Sequence, residues 1–354
     1  NILNFSNHIK KNFIELNKKK ETNNIILVEF HAWCSSHICY SYLLNSLKKK
    51  YLAKIVAYEG YTLISKKIYP NIFEKLKWNI GKEFKINNFK VYDSLGTTNF
   101  IRVNVNSKII QKAKKIYKLQ KFNSKSKLLD FKINNIIIGD LIYDTYLKIK
   151  KLPTINLNDA EFKNFFYESL LTFFYWQDYI KTNSVKAVII SHSTYTYGII
   201  MRVALNYNIP VYKPNFYTIY KISQKNYFIG KEFFEFKKLF NSLNKKEKKI
   251  GLFTAKRHID LMFRGKNKTG LGYNFNRLKI PKNSSEKKIK VMIAMHNFYD
   301  SPHVFGRMLF PDFYEWLKYI INLSKKTDYN WYLKLHPENT IKDIKYIKKL
   351  LEKN

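Results

Sequence analysis

Asn24-Ile25-Ile26-Leu27-Val28-Glu29-Phe30, followed by a loop over His31 to Ser36, a helical stretch from about His37 to Tyr51 and then Ala53-Lys54-Ile55-Val56-Ala57-Tyr58, is the stretch that decides the fold. The first run is nearly continuous Ile, Leu and Val between polar residues, the pattern of a strand buried on both faces of a parallel sheet. The second is short and β-rich, and a strand, helix, strand unit has parallel strands joined by a right-handed crossover. The same unit recurs at Val185 to Ser191, a helix to about Tyr207 ended by Asn208-Ile209-Pro210, and Val211-Tyr212. Between the two units, Phe89 to Tyr92 reads as a third strand with a turn at Ser94 to Thr98. Helices are expected over Ser107 to Leu119 and Asp159 to Lys181, the second turning Phe162, Phe165, Phe166, Phe173 and Trp176 into the core. Further on, Lys237 to Phe263 looks helical and Arg264 to Glu286 looks like a linker. A strand at Lys288 to Met295, a helix near Asp312 to Lys325, a strand at Trp331 to Leu335 and a last helix near Thr340 to Lys353 follow. Alternation of this kind throughout calls for parallel sheets.

Composition bounds the function. A chain of 354 residues with 45% hydrophobic content fills two cores. Its apolar runs are far shorter than the ~20 residues that span a bilayer, so no transmembrane helix is expected. The chain opens on Asn1 without the pattern of a signal peptide and reads as a trimmed chain. Two cysteines, Cys34 and Cys39, fit neither a disulfide framework nor a metal knuckle, and a reducing cytoplasm is the compartment expected. The net charge of +38 is open to two readings. One is attraction to nucleic acid, phospholipid headgroups or a phosphate-bearing substrate. The other is the Lys, Asn, Ile, Tyr and Phe bias of an AT-rich genome. Lysines are scattered (Lys18 to Lys20, Lys48 to Lys50, Lys245 to Lys249) rather than gathered into a stripe, so nucleic acid is not expected as a partner. A peripheral position at the anionic inner membrane surface is.

In an open parallel sheet, ligands bind beyond the carboxyl ends of the strands, and four such ends carry histidine: Glu29-Phe30-His31, Ser191-His192-Ser193, Met295-His296-Asn297 and Leu335-His336-Pro337. At the last, strand alternation places Lys334 and His336 on one side. Pro337 stops the ladder, and Glu338-Asn339-Thr340 caps a helix whose N-terminus carries partial positive charge. Lysine, imidazole and helix N-terminus together make a phosphate site, against the plainer reading of a strand stop with a surface histidine. His296 to His303 is followed by Arg307 and is richer in His, Asp and Ser than a connector needs. A metal on His296, Asp300 and His303 would match no known ligand spacing, and none is expected. Asp140 and Asp144, after the apolar run Ile136 to Ile138, are candidates for a general base or for a helix cap. His31 is the other base candidate, oriented by Glu29, or else a satisfied buried histidine. Missing Gly-x-Gly-x-x-Gly, Walker, His-Glu-x-x-His and Gly-x-Ser-x-Gly motifs disfavour dehydrogenases, P-loop NTPases, zinc proteases and serine hydrolases.

Trp331-Tyr332-Leu333-Lys334-Leu335-His336-Pro337 resembles the Lys-x-His-Pro segment of bacterial capsule and surface polysaccharide biosynthesis proteins, a group that includes Kdo transferases of capsule assembly. His296 to His303 resembles the His-x-Phe-x-Asp-x-Pro-His stretch of the same group. The resemblance runs from about residue 136 to 340. It implies an α/β protein of two Rossmann-like parallel-sheet lobes in the GT-B arrangement. Residues 1–264 would form the acceptor lobe, residues 265–286 the linker, and residues 287–354 the start of a nucleotide-sugar lobe that is cut short, leaving this chain alone inactive. It further implies a glycosyltransferase without metal or cofactor, which takes a CMP- or UDP-linked sugar donor to a glycan or lipid-linked glycan acceptor. Lys334, His336, Pro337, His296, Ser301, His303 and Arg307 would then bind the donor phosphate. His31, Asp140 and Asp144 would serve the acceptor hydroxyl, with His192 and Ser193 on the acceptor side. A CDP-polyol phosphotransferase of the teichoic-acid kind and a non-catalytic basic polyanion-binding protein are the rival readings.

Overall fold

The computed structural model describes residues 2–13, 22–31, 34–59, 71–214, 218–225, 227–228, 231–264, 287–336 and 339–352. The chain divides into two compact units, Asn1–Ile229 with Tyr299–Pro311, and Gly230–Phe298 with Asp312–Asn354. This grouping differs from the sequence-based boundaries: residues 230–264 go with the second unit and residues 299–311 with the first. The expected linker, 265–286, lies outside the described residues.

The first unit is an α/β layer structure. Its strands are β1 (Ile25–Phe30), β2 (Lys54–Glu59), β3 (Thr97–Ile101), β4 (Lys132–Ile133), β5 (Ile136–Ile137), β6 (Val185–Ile189), β7 (Val211–Pro214) and β8 (Ile219–Ile222). Its helices are α1 (Ile2–Phe13), α2 (Cys34–Tyr51), α3 (Ile72–Glu83), α4 (Asn88–Ser94), α5 (Ser107–Leu119), α6 (Lys125–Leu129), α7 (Gly139–Lys150), α8 (Ala160–Thr182) and α9 (Tyr197–Asn206). Six strands form one sheet in the order β3-β2-β1-β6-β7-β8, parallel except for β8, which runs antiparallel to β7. Both faces are covered. Ile26 and Val28 turn to the side held by Tyr40, Leu44 and Leu47 of α2 and by Val91 and Tyr92 of α4. Tyr58 turns to the other side, where its ring meets Trp176 of α8 edge-on at 5.2 Å. Ile26, Leu27 and Val28 are fully buried, each stabilising the fold by about 1.5–3 kcal/mol. The aromatic stripe of α8 is core, as its spacing indicates: Phe162, Phe166, Phe173 and Trp176 are all buried.

Three elements differ from the sequence reading. Phe89 to Tyr92 lies in helix α4, and the third strand is Thr97–Ile101; the turn expected over Ser94 to Thr98 falls between them, at Leu95 and Gly96. Three apolar residues in four fit either period, and it is burial of Val91 and Tyr92 under α2 and β1 that selects the helix. Gly96, at φ 83°, makes the turn into the strand. The polar lead-in holds α1, an amphipathic helix that buries Ile9 and packs on α4. The single helix expected over Lys237 to Phe263 is two, α10 (Lys231–Ser242) and α11 (Lys245–Phe263). Asn244 starts the second with a capping box: its side chain accepts from the Glu247 N–H, and the Glu247 carboxylate accepts from the Asn244 N–H.

In the second unit β9 (Lys290–Ala294) and β10 (Asn330–Lys334) pair in parallel, with Ala294 opposite Lys334. Helix α12 (Phe313–Ser324) is the crossover between them, and α13 (Ile341–Glu352) follows β10. Among the described residues no helix is long and apolar enough to cross a membrane.

Candidate functional site

The chain leaves β1 for β2 on one side of the sheet and leaves β6 for β7 on the other, so the order reverses between β1 and β6. A crevice opens beyond the carboxyl ends at such a reversal, and here the two ends are Glu29-Phe30-His31 and Ser191-His192-Ser193. Glu29 is 1% exposed at the end of an apolar strand. One carboxylate oxygen accepts both the backbone N–H of Ser191, at 2.5 Å, and its hydroxyl, at 2.8 Å. Burial pushes the Glu29 carboxyl up to about 7, against the pull of the Ser191 hydrogen bonds. Ser191 Oγ lies 3.0 Å from His192 Nδ1. When Glu29 is ionised the serine gives it the hydroxyl proton. His192 Nδ1–H then donates to Oγ, and the lone pair sits on Nε2.

The histidines here are held neutral. His192 is pushed down to about 4 by burial and by the positive charges of Lys213 and Lys148, with Asp300 opposing. His31 is pushed down to about 3, first by burial and then by His37 and His192. Its ring stacks on His37 at 5.8 Å, and its Nε2 is 3.2 Å from the Tyr40 hydroxyl. The His37 Nε2–H donates to the His31 carbonyl at 2.9 Å. Tyr92 clasps the end of β1, donating its hydroxyl to the Glu29 carbonyl and accepting the His31 N–H. Glu29, expected to orient His31, turns its carboxylate to Ser191 instead. Ser193 is buried, and its carbonyl would lie 2.6 Å from a Cβ placed on Gly198.

A second buried cluster joins α7 to the segment 299–311. Asp140, in the first turn of α7, forms a two-pronged ion pair with Arg202 of α9, both contacts at 2.5 Å. Arg202 is 5% exposed, also donates to the Ile137 carbonyl, and lies 4.5 Å over the Tyr227 ring. One turn on, Asp144 accepts the His303 N–H at 3.0 Å and its Nδ1–H at 2.6 Å. Burial opposes the His303 imidazolium, but Asp144 outweighs it and the His303 pKa is raised. Burial also raises Asp144, so the pair holds a proton between its two members. Asp300 takes Lys148 at 2.8 Å and the Tyr195 hydroxyl at 2.9 Å. Tyr195 (φ 57°) and the neighbouring Ser301 (φ 50°) both occupy the left-handed region, which costs non-glycine residues free energy. Arg307 pairs with Asp130.

No protein-family model, curated protein or solved structure matches the chain.

In the second unit, His296 and His336 follow the adjacent ends of β9 and β10, with ring centroids 5.5 Å apart, and His296 stacks on Phe313 at 4.7 Å. The His296 Nδ1–H donates to the Asn297 carbonyl at 2.9 Å. Lys334 ends β10 with its side chain exposed. Thr340 caps α13 reciprocally with the fully buried Asp343. Pro337 and Glu338 lie outside the described residues. The residues expected at one donor phosphate thus fall in two groups: Lys334, His336 and His296 in the second unit, Ser301, His303 and Arg307 in the first. Among the described residues no group of three His, Cys, Asp or Glu is placed to hold a metal ion.

Sequence reasoning missed the Glu29–Ser191 bond and Arg202. Each has a signal: a lone charge inside an apolar run, Ile25 to Phe30 and Gly198 to Leu205, needs a partner.

Proposed function

We propose that the chain belongs to a glycosyltransferase that moves a sugar from a CMP- or UDP-linked donor to a hydroxyl of a surface glycan or its lipid-linked precursor, with the division of labour of the GT-B arrangement. The observation that carries the reading is the Glu29–Ser191–His192 relay at the reversal point of the sheet. A neutral imidazole, its Nδ1 proton fixed by serine and carboxylate, is built to take a proton from a hydroxyl through Nε2. The acceptor oxygen then bonds to the anomeric carbon, the bond to the donor phosphate oxygen breaks, and the nucleotide leaves as an anion. His31, beside His192, lines the acceptor side in this proposal. Asp140, Asp144 and His303 hold the fold and take no part in the transfer in this proposal, because each is buried in a pair. Lys334 and His336, with His296, are assigned to the donor phosphate, where positive charge offsets the charge gained on departure.

The test is the pH dependence of kcat/KM in the full-length protein. Activity requires ionised Glu29, so it rises with pH through an apparent pKa of about 7. Glu29→Gln lowers the rate by about 10²-fold and removes that limb. A wild-type rate and profile in Glu29→Gln would refute the relay. Transfer from CDP-glycerol but not from CMP- or UDP-sugars would replace glycosyl transfer by polyol-phosphate transfer.

A further inference from the structure

A cleft of about 600 Å³ in the first unit, at the carboxyl ends of β1, β2 and β3, has no part in the reaction proposed above. Its walls include Phe30, Trp78, Ile80 and Phe89, with Glu74 and Lys77 among the lining, and its half-buried charges pair: Arg102 Nε is 2.9 Å from Glu59, with the guanidinium 3.9 Å over the Trp78 ring. The outer wall is α3, in which Gly81 is the one buried residue described. Gly81 sits against the Phe89 ring, where a Cβ would come within 2.7 Å. Trp78 packs inward against Phe30 and Phe89, while the other apolar side chains of the helix stay exposed, Phe73, Leu76 and Ile80 at the mouth of the cleft. Ile72, Leu76 and Ile80 recur at i, i+4 and i+8. Ile72 is 81% exposed, Phe73 80% and Leu76 53%, and Phe84 and Ile86 extend the patch. Single exposed apolar residues are ordinary, whereas a contiguous row marks a binding surface. Lys75 and Lys77 lie on this helix with Glu74 and Glu83, while Lys82 donates to Asn99 and Lys85 pairs with Asp93 at 2.6 Å.

We infer that α3, with Phe84 and Ile86, is a membrane-docking face that lies in the headgroup layer of an anionic bilayer. The apolar row dips to the acyl boundary, the lysines meet lipid phosphates, and the cleft behind the helix receives an acyl chain. Charge selects this occupant over a second copy, since two chains of net charge +38 repel one another. The surface stands independently of the transfer reaction: vesicle binding tests it without turnover.

The experiment is sedimentation of the chain with vesicles of phosphatidylcholine alone and of phosphatidylcholine mixed with phosphatidylglycerol. The mixed vesicles carry the protein down. Phe73→Glu combined with Leu76→Glu weakens that binding by at least about tenfold, at an unchanged melting temperature because both side chains are exposed. Lys75→Gln with Lys77→Gln also weakens it, through charge alone. Lipids brominated in the acyl chain quench tryptophan emission in the wild type and do so less in Trp78→Phe. Retention of wild-type binding by the Phe73→Glu, Leu76→Glu variant would mean adsorption through scattered lysines and would overturn the proposal, as would failure of the wild type to bind mixed vesicles.

Discussion

Two carboxylate–imidazole arrangements sit in the first unit, and the same residue types behave oppositely in them. At Asp144–His303 the acid touches the imidazole directly, at 2.6 Å, and the pair keeps its proton. At Glu29–Ser191–His192 a serine stands between them, Lys213 and Lys148 press on the ring, and the imidazole stays neutral. Direct contact makes an anchor for the segment 299–311. A spacer and nearby cations leave a neutral imidazole, the one assigned as base in the proposed reaction. Burial alone does not distinguish them; what stands next to the ring does.

The comparison breaks most severely if α7 is dislodged. A Cβ on Gly139 would lie 1.8 Å from the Leu128 carbonyl oxygen, a backbone atom, so Gly139→Ala is expected to cost about 4 kcal/mol or more. Denaturant melting would record this as loss of the cooperative transition or a large drop in its midpoint.

Next come the paired truncations. Asp144→Ala leaves a buried imidazole without its anion and costs about 3–5 kcal/mol of stability, while transfer per folded molecule stays near wild type. His192→Ala does the reverse: melting changes little and transfer falls about 10²- to 10⁴-fold. Measuring stability and rate on both variants tests the division, which fails if either variant loses both.

A smaller effect separates the two imidazoles by pH. His192 has a folded pKa below its unfolded value of 6.5, so the unfolded chain takes up a proton first and stability is lost as pH falls from 6.5 towards about 4. His303 has a raised folded pKa, so its contribution is fully present below 6.5 and is lost as pH rises through the folded value. His192→Gln flattens the acid side by about 1–3 kcal/mol, and His303→Gln flattens the alkaline side. Urea titrations across pH read both slopes.

Much of the framework was legible from the sequence. The runs Ile25 to Phe30, Lys54 to Tyr58 and Val185 to Ile189 declared buried parallel strands, and His31 and His192 just beyond the first and last of them drew attention to that edge of the sheet. Partner choice was not legible. Glu29 meets Ser191 across 162 positions, and Asp144 meets His303 across 159. Such pairings follow from strand order and loop path, which no local pattern encodes. Where the pattern was short, as at Phe89 to Tyr92, packing against α2 and β1 decided between helix and strand.

The most direct measurement is an imidazole titration by NMR on protein with labelled histidines, assigned through His192→Gln and His303→Gln. The expected result is that His192 stays neutral down to a pKa of about 4, with its proton on Nδ1, while His303 titrates above 6.5. A protonated His192 and a neutral His303 at pH 6 would contradict it.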